Sequence, residues 1–247
     1  MPAGCKLGII ASTPNIDHID ALYILDGKNI NTGPLSWSTG SDLGAPTITW
    51  NLVGSEPNDP VILPGGGLNV YKTGSKGLEA DGSDFFLPTN MTGKSRSWII
   101  LFKEDVVGET AMSHIFNMGT GSEPGISYLR NSNANNNRYL QHHIYGNLFQ
   151  FHHNQYDHRG KVIADVWTIT ESSTTVRVYA NGSYSGYSST INTTPVTTNT
   201  AVRLLYNQSG TSGGVDGSLF GVRIYDIILT NTQIQSELNL MHSYYGV

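Results

Sequence analysis

This sequence holds one cysteine, Cys5, in 247 residues. A lone thiol makes no internal disulfide and no cysteine-based zinc site, and a chain of this length can bury a large core without either. Charge is sparse as well. Asp, Glu, Lys and Arg make up 13% of the residues, against about a quarter in an ordinary soluble domain. The 14 basic residues are scattered among 19 acidic ones, giving a net charge of −5. Such a distribution offers no footprint for a phosphate backbone, so nucleic acid is not expected as a partner. No apolar run is long enough to span a bilayer, so no membrane insertion is expected. The opening "MPAGCKLGIIASTPNIDHID" lacks the basic and long apolar regions of a secretory signal, which points to synthesis in a cytoplasm. Catalytic signatures are missing too: there is no Gly-x-Ser-x-Gly elbow, phosphate loop or His-Glu-x-x-His.

What the chain does have is Ser, Thr, Asn, Gln and Gly in place of charge, with 10% aromatic residues to anchor a core. Short strand-like runs alternate with Gly, Asn, Asp, Ser and Pro. The clearest are Ala21–Leu25, Thr47–Leu52, Gly67–Tyr71, Phe85–Leu87, Ser97–Lys103, His114–Met118, Ile126–Arg130, Arg138–Tyr145, Leu148–His153, Lys161–Thr170, Thr174–Ala180, Ala201–Tyr206 and Ser218–Ile228. Many short strands with turn signals between them predict a sandwich or barrel. In "VRVYANGSYSGY" (176–187), Asn181-Gly182 interrupts an alternating run and predicts a tight hairpin, because both central residues must reach positive φ. One helix is expected, over "TNTQIQSELNLMHSYYG". Thr230 and Gln233 form a capping box, Ile234, Leu238, Met241 and Tyr245 form one apolar stripe, and Gly246 closes it. Residues 1–20 read as an N-terminal arm and 21–247 as a single domain.

Four of these stretches, in this order, are similar to the signatures of concanavalin A-like, laminin-G-type jelly rolls. "SKGLEADGSDFFLP" (75–88) resembles their strand, Asp-Gly turn and short strand ending in Leu-Pro. "SWIILFKED" (97–105) resembles the next strand with its early Trp. "DVWTITESSTTVRVYANGSYSG" (165–186) resembles their paired hairpin strands. "GSLFGVRIYDIILTNTQIQSEL" (217–238) resembles the closing strand and short helix. The resemblance implies an all-β jelly-roll β-sandwich with one short C-terminal helix. It says less about function, because one fold hosts many sites.

Sugar-cleaving relatives exist on that fold, and retaining glycosidases need two carboxylates about 5 Å apart. Family 16 glucanases carry theirs as Glu-x-Asp-x-x-Glu. The nearest string here, Glu79-Ala80-Asp81-Gly82-Ser83-Asp84, ends in Asp and runs into a turn, so no catalytic residue is assigned and the chain is not expected to be an enzyme. Laminin-G-type relatives often hold calcium in rim loops, where Asp81, Asp84, Asp157 and Asp216 would fall. No cofactor is assigned, and Ca2+ stays open.

The densest polar-aromatic stretch is "QHHIYGNLFQFHHNQYDH" (141–158), with five of the eight histidines. A hairpin with Gly146-Asn147 as its loop sets Gln141, His143, Tyr145, Leu148, Gln150 and His152 on one face. Tyr145 offers a flat ring to a pyranose, while Gln141, His143, Gln150 and His152 donate to and accept from hydroxyls. These five residues are the candidate carbohydrate site. His143 and His152, as diagonal neighbours, form a second, metal-binding reading, and a solvated face or subunit interface is the third. The expected function is a non-catalytic binding or assembly module on a bacteriophage virion, as a head decoration, neck or tail component. Its expected partners are other virion proteins, further copies of itself as a homo-oligomer, and cell-surface glycans. The alternatives are a glycan-active hydrolase, or a secreted, extracellular lectin or adhesin domain.

Overall fold

The computed structural model describes residues 19–33, 35–54, 59–70, 76–80, 91–104, 116–118, 126–128, 139–144, 147–152, 160–192, 202–205 and 217–247. Along them run β1 (Tyr23–Thr32), β2 (Leu35–Gly40), β3 (Thr49–Val53), β4 (Val61–Ile62), β5 (Leu68–Val70), β6 (Gly77–Ala80), β7 (Ser95–Glu104) and β8 (Phe116–Met118). Then follow β9 (Ile126–Tyr128), β10 (Tyr139–Ile144), β11 (Asn147–His152), β12 (Val162–Thr170), β13 (Thr174–Ala180), β14 (Ser183–Ile191), β15 (Val202–Leu204), β16 (Gly217–Tyr225) and the helix α1 (Asn231–Tyr245). Every strand pairing described is antiparallel. The protein is an all-β sandwich with one C-terminal helix.

The hydrogen-bonded path runs β11-β10-β9-β8-β15-β6-β3-β2-β1-β16-β7-β12-β13-β14. It folds over on itself so that its two halves enclose one core. Trp37, Trp50, Leu78 and Leu204 come from one half, and Trp98, Phe102, Trp167, Val176, Val222 and Ile224 from the other. Four tryptophans stand here as two cross-strand pairs, Trp37 opposite Trp50 and Trp98 opposite Trp167. All four are fully buried, and truncating any one to Ala removes about 3–5 kcal/mol of packing.

The continuous apolar run of β7, Trp98–Phe102, reflects a strand covered on both faces. Trp98, Ile100 and Phe102 enter the sandwich core. Ile99 and Leu101 enter a second core beneath α1, with Val162, Ala164, Val166, Ile234, Leu238 and Met241. A bulge at Phe220 shifts the β16–β7 register between Leu219 and Gly221. Residues 220 and 221 therefore both face the helix. A Cβ on Gly221 would lie 2.5 Å from the Tyr245 hydroxyl, so glycine there is what lets the helix seat.

The expected hairpin at Asn181-Gly182 is present. Both residues hold positive φ, 46° and 78°, and Ala180 pairs with Ser183. The expected helix is present with its full capping box, and Gly246 ends it in the left-handed region. Other stretches differ from the sequence reading. β2, within "TGPLSWSTG", has no strand expectation, since its alternation is carried by Leu35 and Trp37 among Ser, Thr and Gly. β16 stops at Tyr225 rather than Ile228, because Asp226 leaves the ladder to pair with Arg96. Residues 1–18 of the arm and 85–87 lie outside the described residues.

Candidate functional site

The hairpin that carries the sequence-predicted sugar site forms β10 and β11, at the end of the sheet path, with β9 on the other side of β10. Its loop is one residue earlier than expected, which shifts every cross-strand partner by two. Ile144 pairs with Asn147, so the loop is residues 145–146 and not Gly146-Asn147. Gln141 consequently stands opposite Gln150, His143 opposite Leu148, and His152 opposite Tyr139. Tyr145 lies outside the described residues. The backbone brings Gln141 and Gln150 together and sets His143 between Ser127 and Leu148. His143 and His152 are four residues apart in register, about 14 Å along the strands. The diagonal pairing behind the metal reading is therefore not made. Among the described residues no group of three or more His, Cys, Asp or Glu is placed to hold a metal ion. Asp81, Asp84, Asp157 and Asp216, the calcium candidates, lie outside the described residues.

Described carboxylates sit in structural roles. Glu79, the first residue of the glucanase-like string, is held by Arg203 across the β6–β15 pair. Glu171 accepts from the Gly93 amide at 2.8 Å, Asp59 from Lys76 at 2.8 Å, and Asp42 from the Ala21 amide at 2.9 Å. Asp165 is fully buried on the sandwich side of β12.

Among the described residues, the most strongly perturbed groups lie beneath α1. Glu237 is fully buried there and accepts from Arg223 Nη1 at 2.5 Å and from the Tyr225 hydroxyl at 2.6 Å. Burial first, then the Glu237 charge and hydrogen bond, push the Tyr225 hydroxyl far above its ordinary value. Burial alone would lower Arg223, but Tyr225 and Glu237 outweigh it and raise its pKa. Nearer the helix end, Asp26 accepts from Tyr244 at 2.8 Å and Tyr245 at 3.2 Å, and burial followed by the Asp26 charge raises Tyr245. These clusters fasten the helix to β1 and β16, a structural role. The sequence signal for Glu237 is its place three residues after Ile234, inside the apolar stripe.

Every tryptophan lies in the core, and the exposed aromatic rings among the described residues come from tyrosine. Tyr244 is 44% exposed, yet its ring is covered by Lys28 Nζ at 4.0 Å and its hydroxyl is held by Asp26. Tyr184, on β14, is 49% exposed and packs against Tyr179 with ring centroids 5.4 Å apart. It belongs to the hairpin that the sequence predicts at Asn181-Gly182. Arg177 and Tyr184 share a face by the register of the Asn181-Gly182 turn, but the sequence does not show that Ser188 stands opposite Arg177, because a two-residue bulge in β14 shifts the pairing.

No protein-family model matches this sequence, and no curated protein sequence matches it. Solved structures do share its fold. The botulinum neurotoxin serotype D/C binding domain superposes with a TM-score of 0.58 at 11% identity, over 90% of this chain and 52% of that one. The neurotoxin DC binding domain in complex with SialylT gives 0.56 at 11% identity, over 92% of this chain and 52% of that one. Trypanosoma rangeli sialidase in complex with sialic acid gives 0.56 at 12% identity, over 87% of this chain and 32% of that one. The chain thus spans about half the length of the toxin binding domains and a third of the sialidase, and shares with both a β-sandwich fold.

Proposed function

We propose that this protein is a non-catalytic binding module on a concanavalin A-like, laminin-G-type jelly roll, recognising glycans on a cell surface. The observation that carries this reading is the sandwich itself, matched over nine-tenths of the chain to toxin binding domains. The carboxylates tied up by Arg203, Lys76 and backbone amides support the non-catalytic half. The bacteriophage virion remains the proposed setting, as a surface component working with other virion proteins or further copies of itself. Its support is the polar, weakly charged composition and the absence of a disulfide framework. A hydrolase on the same fold is the second reading, favoured by the sialidase likeness.

One experiment separates the two. The purified chain is applied to an immobilised glycan panel and, in parallel, to fluorogenic sialosides and β-glucosides. Retention on glycans without product release is the expected result. Steady turnover of either fluorogenic substrate would replace the binding module with the hydrolase, and loss of all glycan retention would remove the glycan reading.

A further inference from the structure

Three of the four described arginines sit on a carboxylate: Arg96 on Asp226, Arg203 on Glu79 and Arg223 on Glu237. Arg177 has no ion pair among the described residues. It stands at the centre of β13, opposite Val166 of β12 and Ser188 of β14. Residues directly opposite in a ladder share a face, and Val166 lies beneath α1. Arg177 is therefore on the helix side of the sheet. Its ladder neighbours among the described residues, Val166 and Ser188, are uncharged. Thr175 and Thr190 share a 2.8 Å hydroxyl contact one row along, and Ser188 and Thr190 are exposed. On the opposite side Tyr184 presents its ring, backed by Tyr179.

The β14 bulge sets which hydroxyl residue stands opposite Arg177. Val178 pairs with Tyr187 but Tyr179 with Tyr184, so Ser185 and Gly186 are extra residues. The Ser185 hydroxyl turns back onto the Val178 carbonyl at 2.6 Å. Gly186 takes φ 85°, and a Cβ there would meet nothing within 4 Å. The tyrosine row and the arginine row lie about 7 Å apart, two residues along the strand.

We infer that this face, formed by Arg177, Tyr184, Ser188, Thr175 and Thr190, is a binding site for a carboxylate-bearing saccharide such as a sialoside or uronide. The inference rests on the glycan-binding reading above and places it on residues outside the β10–β11 hairpin. A guanidinium without an ion pair among the described residues presents a planar fork matched to a carboxylate. The exposed tyrosine ring supplies a platform for a pyranose face, and the Ser and Thr hydroxyls both donate to and accept from sugar hydroxyls. The charge complements the ligand: a lone cation on a chain of net charge −5 favours an anionic group at that one point.

The test titrates the full chain with sialyllactose and a galacturonate oligomer, with lactose as the neutral counterpart and an oligoglutamate peptide as a non-sugar carboxylate. The acidic sugars are expected to bind at least about tenfold more tightly than lactose, the loss typical of one charge-assisted hydrogen bond. Arg177→Ala removes that preference, Arg177→Lys restores only part of it, and Tyr184→Ala weakens all the sugars, with melting temperatures unchanged. Wild-type affinity in Arg177→Ala, or full recovery in Arg177→Lys, would overturn the proposal. Oligoglutamate binding as tight as the acidic sugars would overturn the saccharide assignment. If glycans bind and Arg177→Ala changes nothing, the module stands and only this site falls. Silence toward every sugar removes both.

Discussion

At the scale of single residues, Glu237 shows how far a side chain's neighbours set its role. A glutamate on an amphipathic helix is ordinarily a solvated residue, but this one is fully buried between Arg223 and the Tyr225 hydroxyl. Removing one partner leaves the carboxylate short of a hydrogen bond, so Tyr225→Phe is expected to cost about 1–3 kcal/mol of stability in urea unfolding. The pH dependence follows from the raised Tyr225 and Tyr245 hydroxyls. A group whose folded pKa is raised holds its proton longer in the native state than in the unfolded chain. Its contribution is therefore complete below pH 10, the unfolded tyrosine value, and is lost as pH rises above it. Wild-type stability should fall steeply with alkali, and Tyr225→Phe should fall less steeply. An identical slope in the two proteins would argue against the clamp.

At the scale of elements, α1 and the β13–β14 hairpin were the most legible parts of the chain. Each is specified by local chemistry. The Thr230 and Gln233 side chains close the helix start reciprocally, and Asn181-Gly182 supplies the two positive φ angles that a two-residue turn needs. Thr230→Ala is expected to lower the unfolding free energy by about 1 kcal/mol without altering the sheet, a change visible as a lower thermal midpoint. The β10–β11 register was less legible. Gly146-Asn147 and residues 145–146 both place a glycine in a two-residue loop, and only the pairing of Ile144 with Asn147 decides between them. β2 was hidden for another reason. Trp37 is its one fully buried residue, and the rest of its ladder is small and polar.

At the scale of the whole molecule, the sandwich has two cores on the two sides of β16-β7-β12-β13. One is closed by the other half of the sheet and one by α1. All four tryptophans lie in the first. Intrinsic fluorescence should therefore be blue-shifted and resist acrylamide quenching until the fold is lost in one transition, and saturating glycan should leave it unchanged. Ready quenching in the native state would contradict the burial of the two tryptophan pairs. Among the described residues, Tyr184, Arg177 and the Ser and Thr hydroxyls of β13 and β14 are the groups that the proposed saccharide site would use.

By itself the sequence determined that this chain is β-rich, that it ends in a capped helix, and that it turns sharply at Asn181-Gly182. These are short-range properties, set by backbone geometry and by the period of apolar residues. Tertiary structure alone decided which polar groups meet. Arg223, Tyr225 and Glu237 share a buried site because a helix crosses β16. Ser188 stands opposite Arg177 because a two-residue bulge offsets β14. Contacts of this kind depend on register and on the packing of one layer over another, and no local pattern encodes either.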